Sequence, residues 1–151
     1  MSLQPIIEQL HTELGASRVT LRQHDPDATG DGVFPVTHEV LADGVESLIG
    51  VKAPNMPGQP VVLKILEGEQ VVQHACQEDF IGDEPFHSML ELYGGMRAQI
   101  VTPVRIDGAT VAVISVHQLG KTRDWSKAEI ECCQAAATQV RAELELESTG
   151  G

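Results

Sequence analysis

The chain has 151 residues, with 22 acidic and ten basic side chains and a formal net charge of −12 at pH 7. This length supports one compact domain with a sizeable core. An acidic surplus of this size repels phosphate groups, and no run of basic residues opposes it, so neither nucleic acid nor a membrane surface is an expected partner. No secretory leader and no bilayer-length apolar run are evident, which predicts a cytoplasmic protein.

The first half of the chain predicts a helix, two strands and a short helix. Ile7, Leu10 and Leu14 recur at spacings of three and four, which is typical of a helix that buries one face. Residues 18–22 alternate polar and apolar side chains, and this pattern predicts a strand with one buried face. A second strand and a short helix are predicted at 34–41 and 60–66.

The next two elements carry several polar side chains of interest. Residues 70–76 predict a strand that places His74 and Cys76 on the same face. Asp83 is a predicted N-cap for the helix that follows, and Gly94-Gly95 ends that helix.

A hairpin and a long helix complete the chain. Residues 98–106 and 110–117 are rich in β-branched side chains and are joined by Asp107-Gly108, a sequence favoured in tight hairpin turns. The centres of both runs are apolar at consecutive positions, so both faces of the sheet are expected to be covered there. Ser126 and Glu129 form a capping box that opens the last helix.

This order of elements predicts an α+β fold: an antiparallel sheet of about five to six strands, helices on both faces, and the terminal helices packed on one face. Residues 1–147 are expected to form one domain, and 148–151 a disordered tail. The apolar stripes of the terminal helices leave two alternatives open, since they either cover the sheet or form a dimer seam. Those stripes are Ile7, Leu10 and Leu14, and Ile130, Cys133, Ala137, Val140 and Leu144.

Three segments together resemble the GAF domain family. Residues 95–104 (Gly-Met-Arg-Ala-Gln-Ile-Val-Thr-Pro-Val) resemble the family's strand that runs to a proline, and 108–117 resemble its return strand. Residues 124–130 (Asp-Trp-Ser-Lys-Ala-Glu-Ile) resemble the W-[ST]-x-x-E entry into the closing helix. Residues 67–72 are similar to the turn and strand before the ligand loop, and the likeness spans residues 3–145.

The resemblance implies a sensory or regulatory module rather than an enzyme. It implies a small molecule, with anions among the candidates, bound between the sheet and the loops over one face. It also implies a separate signalling partner and a homodimer formed through the terminal helices. Polar groups on an apolar wall would orient such a ligand. The candidate ligand-binding residues are Arg97, Tyr93, Gln99, His74, Cys76, His87, Met89 and His117.

Arg97 ranks first among these candidates, because a guanidinium selects a carboxylate or a similar anion. A surface ion pair between Arg97 and Glu91 is the alternative interpretation. Two Glu-x-x-His pairs, at 8–11 and 84–87, lie on separate predicted helices with no reason to converge, so no metal site is predicted.

No cofactor is predicted, and neither haem nor bilin is expected. Bilin attachment in the resembled family uses adjacent cysteine and histidine residues, whereas His74 lies two positions before Cys76. An aromatic content of 3% offers little wall for haem. The alternative function is a thiol-dependent enzyme of the methionine-sulfoxide-reductase-like GAF branch, centred on Cys76, although no resolving cysteine is evident because Cys132 and Cys133 lie on the last helix. A scaffold that has lost its ligand is a third possibility.

Overall fold

The computed structural model describes residues 3–150. Within that range four α-helices and five strands follow the predicted order: α1 Leu3–Leu14, β1 Arg18–Gln23, β2 Val36–Leu41, α2 Pro60–Leu66, β3 Val71–Gln73, α3 Glu84–Leu92, β4 Met96–Ile106, β5 Ala109–Leu119 and α4 Lys127–Gly150. Helix α4 includes residues 148–150, for which the sequence predicted a disordered tail, and Gly151 lies outside the described residues. None of the described helices is long and apolar enough to cross a membrane.

The five strands form one antiparallel sheet in the order β2-β1-β5-β4-β3, which confirms the predicted α+β fold. Strands β4 and β5 form the predicted hairpin. Asp107 and Gly108 both have positive φ angles, of 51° and 79°, as the favoured two-residue hairpin turn requires. The hairpin supplies the two central strands of the site described below.

Helices α1 and α4 pack together on one face of the sheet, as predicted. Their apolar stripes, with Ile7 and Val140 both 0% exposed, share one core with Val19 of β1 and Ile114 of β5. The stripes therefore cover the sheet, which is one of the two alternatives that the sequence left open. The opposite face is covered by α2, α3 and the long connection 42–59. These elements form a second core that includes Phe86 of α3 and Met56 of the connection.

The predicted strand 70–76 is shorter than expected. Strand β3 ends at Gln73, because the His74 carbonyl accepts a hydrogen bond from the Arg123 backbone N–H at 3.0 Å instead of pairing with β4. Cys76 then begins a 3-10 turn, Cys76–Glu78. The prediction that His74 and Cys76 share a strand face is therefore wrong. The second strand is also shorter than predicted and begins at Val36.

The prediction that β1 has one buried face is wrong, and this difference decides where the site lies. Arg18, Thr20 and Arg22 are 0%, 0% and 7% exposed, while Val19 and Leu21 are 0% exposed on the other side. Strand β1 lies between β2 and β5, and helices or loops cover both of its faces. Its polar side chains therefore point into the second core rather than into solvent.

The capping box of α4 supports a modest stability prediction. Ser126 Oγ accepts from the Glu129 N–H at 3.1 Å, and Glu129 Oε1 accepts from the Ser126 N–H at 2.9 Å. We expect Ser126→Ala to lower the free energy of unfolding by about 1 kcal/mol, because a helix N–H loses its acceptor. Urea denaturation measures the change. The control is Thr138→Ala on the exposed face of α4, and an equal loss in both variants would contradict a specific cap.

Candidate functional site

A row of buried polar side chains crosses the sheet on the face covered by α2 and α3. The strand register aligns Arg18 with His117, His117 with Gln99, and Gln99 with Gln73. None of the four is more than 3% exposed. Buried polar groups are costly unless they form hydrogen bonds, so the hydrogen-bond partners of each residue in this row show which groups are left unpaired.

Each of the three guanidinium nitrogens of Arg18 donates a hydrogen bond within the protein. Its Nε donates to His117 Nδ1 at 3.0 Å, one terminal nitrogen donates to the Glu46 carbonyl at 3.1 Å, and the other donates to the Tyr93 carbonyl at 2.7 Å. Burial lowers the pKa of Arg18 to about 10, so the guanidinium is still cationic at neutral pH. Arg18 thereby ties β1 to β5, to the connection 42–59 and to the end of α3.

His117 is held as a neutral hydrogen-bond donor. Because Nδ1 accepts from Arg18, the ring proton lies on Nε2. Complete burial, and then the charges of Arg18 and Arg22, lower the pKa of His117 well below 6.5. The Tyr93 ring stacks against the imidazole with 5.7 Å between the ring centroids, which fixes the direction of the Nε2–H group.

Arg22 is the second buried cation on β1, and it has no acidic partner. Its terminal nitrogens donate to the Phe34 carbonyl at 2.7 Å and to Tyr93 Oη at 2.8 Å. Within residues 3–150, no ion pair involves Arg18 or Arg22. A buried charge is normally paired; the carboxylates of Glu39 and Glu46 act on Arg18 without forming an ion pair, and Arg22 has no carboxylate in contact in the described part of the chain.

A cavity of about 50 Å³ lies between this polar row and α2. Its polar lining consists of Arg22, Gln59, Tyr93, Gln99, Ser115 and His117, and its apolar lining of Phe34, Ala53, Met56, Val61, Val62, Ile65, Met89, Val101 and Val113. Arg22 is the one charged side chain among these lining residues. Close by on β1, between the two arginines, buried Thr20 Oγ1 has no hydrogen-bond partner among the described residues. The cavity is thus an electropositive, donor-rich space with aliphatic walls.

Four of the eight candidate residues predicted from the sequence lie in the cavity wall: Met89, Tyr93, Gln99 and His117. The other four lie outside it. Arg97 pairs with Glu91 at 2.9 Å, which is the alternative interpretation that the sequence allowed. His74 Nδ1 accepts from the Trp125 N–H at 3.0 Å and thereby helps to anchor the entry to α4.

His87 and Cys76 also have local roles. His87 Nε2 lies 2.9 Å from the Asp79 carbonyl oxygen, so the ring ties α3 to the preceding loop. Cys76 is 0% exposed, and burial raises its pKa to about 12. A thiol with this pKa is protonated at neutral pH and is a poor nucleophile. The geometry therefore gives no support to a thiol-dependent enzyme centred on Cys76.

Three buried polar residues of the site, Arg18, Arg22 and Ser115, were not predicted from the sequence. Arg18 and Arg22 belong to a strand interpreted as having one solvent-exposed face, and Ser115 lies within the apolar run of the hairpin. One signal was available: the predicted helices on both faces of the sheet would also bury the polar side of any central strand. Combining that expectation with the alternation in residues 18–22 would have pointed to both arginines.

This arrangement of helices and strands is shared with a known family. A family model described as GAF domain matches residues 1–144. The chain belongs to the GAF domain family. This match confirms the resemblance found in the sequence, and it covers nearly all the residues in which that resemblance was seen.

Solved structures of other GAF domains share this fold. The blue-light-absorbing form of the Thermosynechococcus elongatus PixJ GAF domain has a TM-score of 0.74 and 22% identity, over 98% of this chain and 90% of that chain. The photoproduct state of GAF3 from Slr1393 of Synechocystis sp. PCC6803 has a TM-score of 0.75 and 19% identity, over 99% and 97%. The far-red-absorbing dark state of JSC1_58120g3 with bound biliverdin IXa has a TM-score of 0.71 and 16% identity, over 95% of this chain and 97% of that chain. A comparison with curated protein sequences gives no significant match.

These structures correct one prediction and agree with another. The prediction of no cofactor, with bilin not expected, is wrong, since solved structures of this fold include a blue-light-absorbing GAF domain and a protein with bound biliverdin. These structures are described by the light that the proteins absorb or by the biliverdin that one of them binds, and this agrees with the prediction of a sensory module rather than an enzyme. The cavity of about 50 Å³ is smaller than a linear tetrapyrrole, so a bilin would fit here only in a wider cavity.

Proposed function

We propose that this GAF domain is a cytoplasmic sensory module that binds one small anion in the cavity beside Arg22 and signals to a separate partner protein. One observation carries the proposal. The Arg22 guanidinium is 7% exposed, lies in the cavity wall, and has no carboxylate partner among the described residues. An anion in the cavity would supply the missing negative charge, and charge-assisted hydrogen bonds are about twice as strong as neutral ones.

The donors around the cavity suit an oxyanion. A guanidinium has five N–H donors, and the Phe34 and Tyr93 contacts of Arg22 leave others available. His117 contributes its Nε2–H group and Ser115 contributes a hydroxyl, and both residues line the cavity. Because His117 is held neutral, it donates to an anion without requiring a proton from solution.

The same strands connect the cavity to the terminal helices. On β1 and β5 the cavity-side residues alternate with Val19, Leu21, Ile114 and Val116, which pack in the core beneath α1 and α4. A ligand that prefers one packing of β1 and β5 would shift the population of terminal-helix arrangements, and a partner would detect that shift. We propose that α1 and α4 transmit this shift by pairing with the same helices of a second copy of the protein.

The test is ligand-induced stabilisation, compared between wild type and Arg22→Met. Sodium acetate, propionate and nitrate are added at constant ionic strength, and thermal unfolding is followed by circular dichroism. We expect the wild type to be stabilised and Arg22→Met to lose at least about tenfold in apparent affinity, because a hydrogen bond to a charged group contributes about 1.5–3 kcal/mol.

The matched control is Arg97→Met, which removes an arginine of the same protein whose partner is Glu91. We expect Arg97→Met to bind as the wild type does. Stabilisation that survives in Arg22→Met, or that disappears in Arg97→Met, would contradict the proposed site. Biliverdin is added in a parallel sample, and a visible absorbance band that remains after gel filtration would replace the small-anion proposal with a bilin one.

A further inference from the structure

We infer that the anion is a short-chain monocarboxylate, an inference that rests on the anion site proposed above. The cavity has two kinds of wall. Arg22, Tyr93 and His117 form one contiguous polar wall, since Arg22 donates to Tyr93 Oη and the Tyr93 ring stacks on His117. Much of the remaining wall is aliphatic, with Val61 and Ile65 contributed by α2. A carboxylate attached to a small alkyl group matches both walls.

The charge of the lining favours a single negative charge on the ligand. Arg22 is the one charged residue in the described lining. Arg18 lies behind His117, and its three nitrogens already donate to His117 and to the carbonyls of Glu46 and Tyr93. A second carboxylate on the ligand would therefore be buried against aliphatic walls without a partner, which is costly.

The volume of the cavity limits the size of the alkyl group. One water-sized group occupies about 10–15 Å³ by this kind of measure, so about 50 Å³ holds on the order of four such groups. Acetate and propionate are of this size. Nitrate is also small enough, but its oxygens would face Val61 and Ile65 without hydrogen-bond donors there.

The first experiment is a chain-length series measured by ligand-induced thermal stabilisation of the wild type. Sodium formate, acetate, propionate, hexanoate, succinate and nitrate are compared at constant ionic strength. We expect affinity to rise by about fourfold for each added methylene from formate to propionate. Hexanoate and succinate should bind at least about tenfold more weakly than propionate, because a longer chain overfills the cavity and a second charge has no partner.

The second experiment tests whether the volume of the cavity sets the preferred length of the alkyl chain. Val61→Ala enlarges the cavity at its α2 wall, and we expect the preferred chain to lengthen from propionate to butyrate or longer. Val71→Ala is the matched control: Val71 is 7% exposed against 6% for Val61 and belongs to the same apolar core, but it does not line the cavity. The control should keep the wild-type preference, and each variant is compared with its own ligand-free melting temperature.

The possible outcomes separate the two proposals. Binding that depends on Arg22, peaks at propionate and shifts in Val61→Ala supports the monocarboxylate. Binding that depends on Arg22 but is equally strong for nitrate, succinate or hexanoate overturns the monocarboxylate and leaves the anion site standing. If no anion in the series stabilises the protein, both proposals fail.

Discussion

Arg18→Met is expected to lower the free energy of unfolding by about 3 kcal/mol. The substitution leaves two buried acceptors, His117 Nδ1 and the Tyr93 carbonyl, without their donor, and it also removes the partly buried hydrogen bond to the Glu46 carbonyl. Each buried acceptor that loses its partner costs about 1–3 kcal/mol, and relief of the buried charge offsets part of the total. Urea denaturation monitored by circular dichroism measures the loss.

Two further variants identify the cause of that loss. Arg18→Lys keeps a positive charge but has no planar set of donors, so it should lose nearly as much stability as Arg18→Met. Arg97→Met changes a residue whose one ion pair is at the surface, and it should alter stability by less than about 1 kcal/mol. An Arg18→Lys variant as stable as the wild type would show that charge, rather than the three directed hydrogen bonds, is what matters.

Stability is expected to fall as the pH drops below about 6.5, with a slope that approaches about 1.4 kcal/mol for each pH unit once the unfolded residue is mostly protonated. The pKa of His117 is well below 6.5 in the folded protein, because the ring is buried beside Arg18 and Arg22. The unfolded chain therefore takes up a proton at this residue that the folded chain does not. Acid consequently favours unfolding, until the pH reaches the pKa of the folded state.

His117→Gln isolates the contribution of this histidine. A glutamine oxygen can still accept from Arg18 Nε but does not titrate, so we expect the pH dependence in this window to flatten. The Glu129 carboxyl acts in a lower window: burial raises its pKa, but hydrogen bonds from Ser126 and Arg123 outweigh burial and lower the pKa below 4.5. Chemical denaturation at a series of pH values measures the wild type and His117→Gln. An unchanged slope in His117→Gln would show that other groups carry the effect.

The fold was largely predictable from local patterns in the sequence. The Asp107-Gly108 turn, the Ser126–Glu129 capping box and the Asp83 N-cap each depend on residues close together in the chain, and all three form as expected. Periodicity also located the apolar stripes that cover one face of the sheet. Such features need little knowledge of the rest of the molecule, so sequence alone identifies them.

The site was only half predictable, because it depends on which face of a strand is covered. The alternation in residues 18–22 correctly separates two faces, but nothing local shows that the polar face is buried under α2 and α3. The order of strands in the sheet decides that question, by placing β1 between β2 and β5. Arg97 is the converse case, since it lies outside the cavity and forms the ion pair with Glu91 that the sequence left open as an alternative.

The most direct measurement of the central claim is a crystal structure of the protein grown in saturating sodium propionate. We predict one propionate in the cavity, with its carboxylate within hydrogen-bond distance of the Arg22 guanidinium and His117 Nε2, and its alkyl group against Val61 and Ile65. A cavity that contains water alone, or a propionate bound elsewhere with Arg22 still unpaired, would contradict the claim that this GAF domain binds an anion at Arg22.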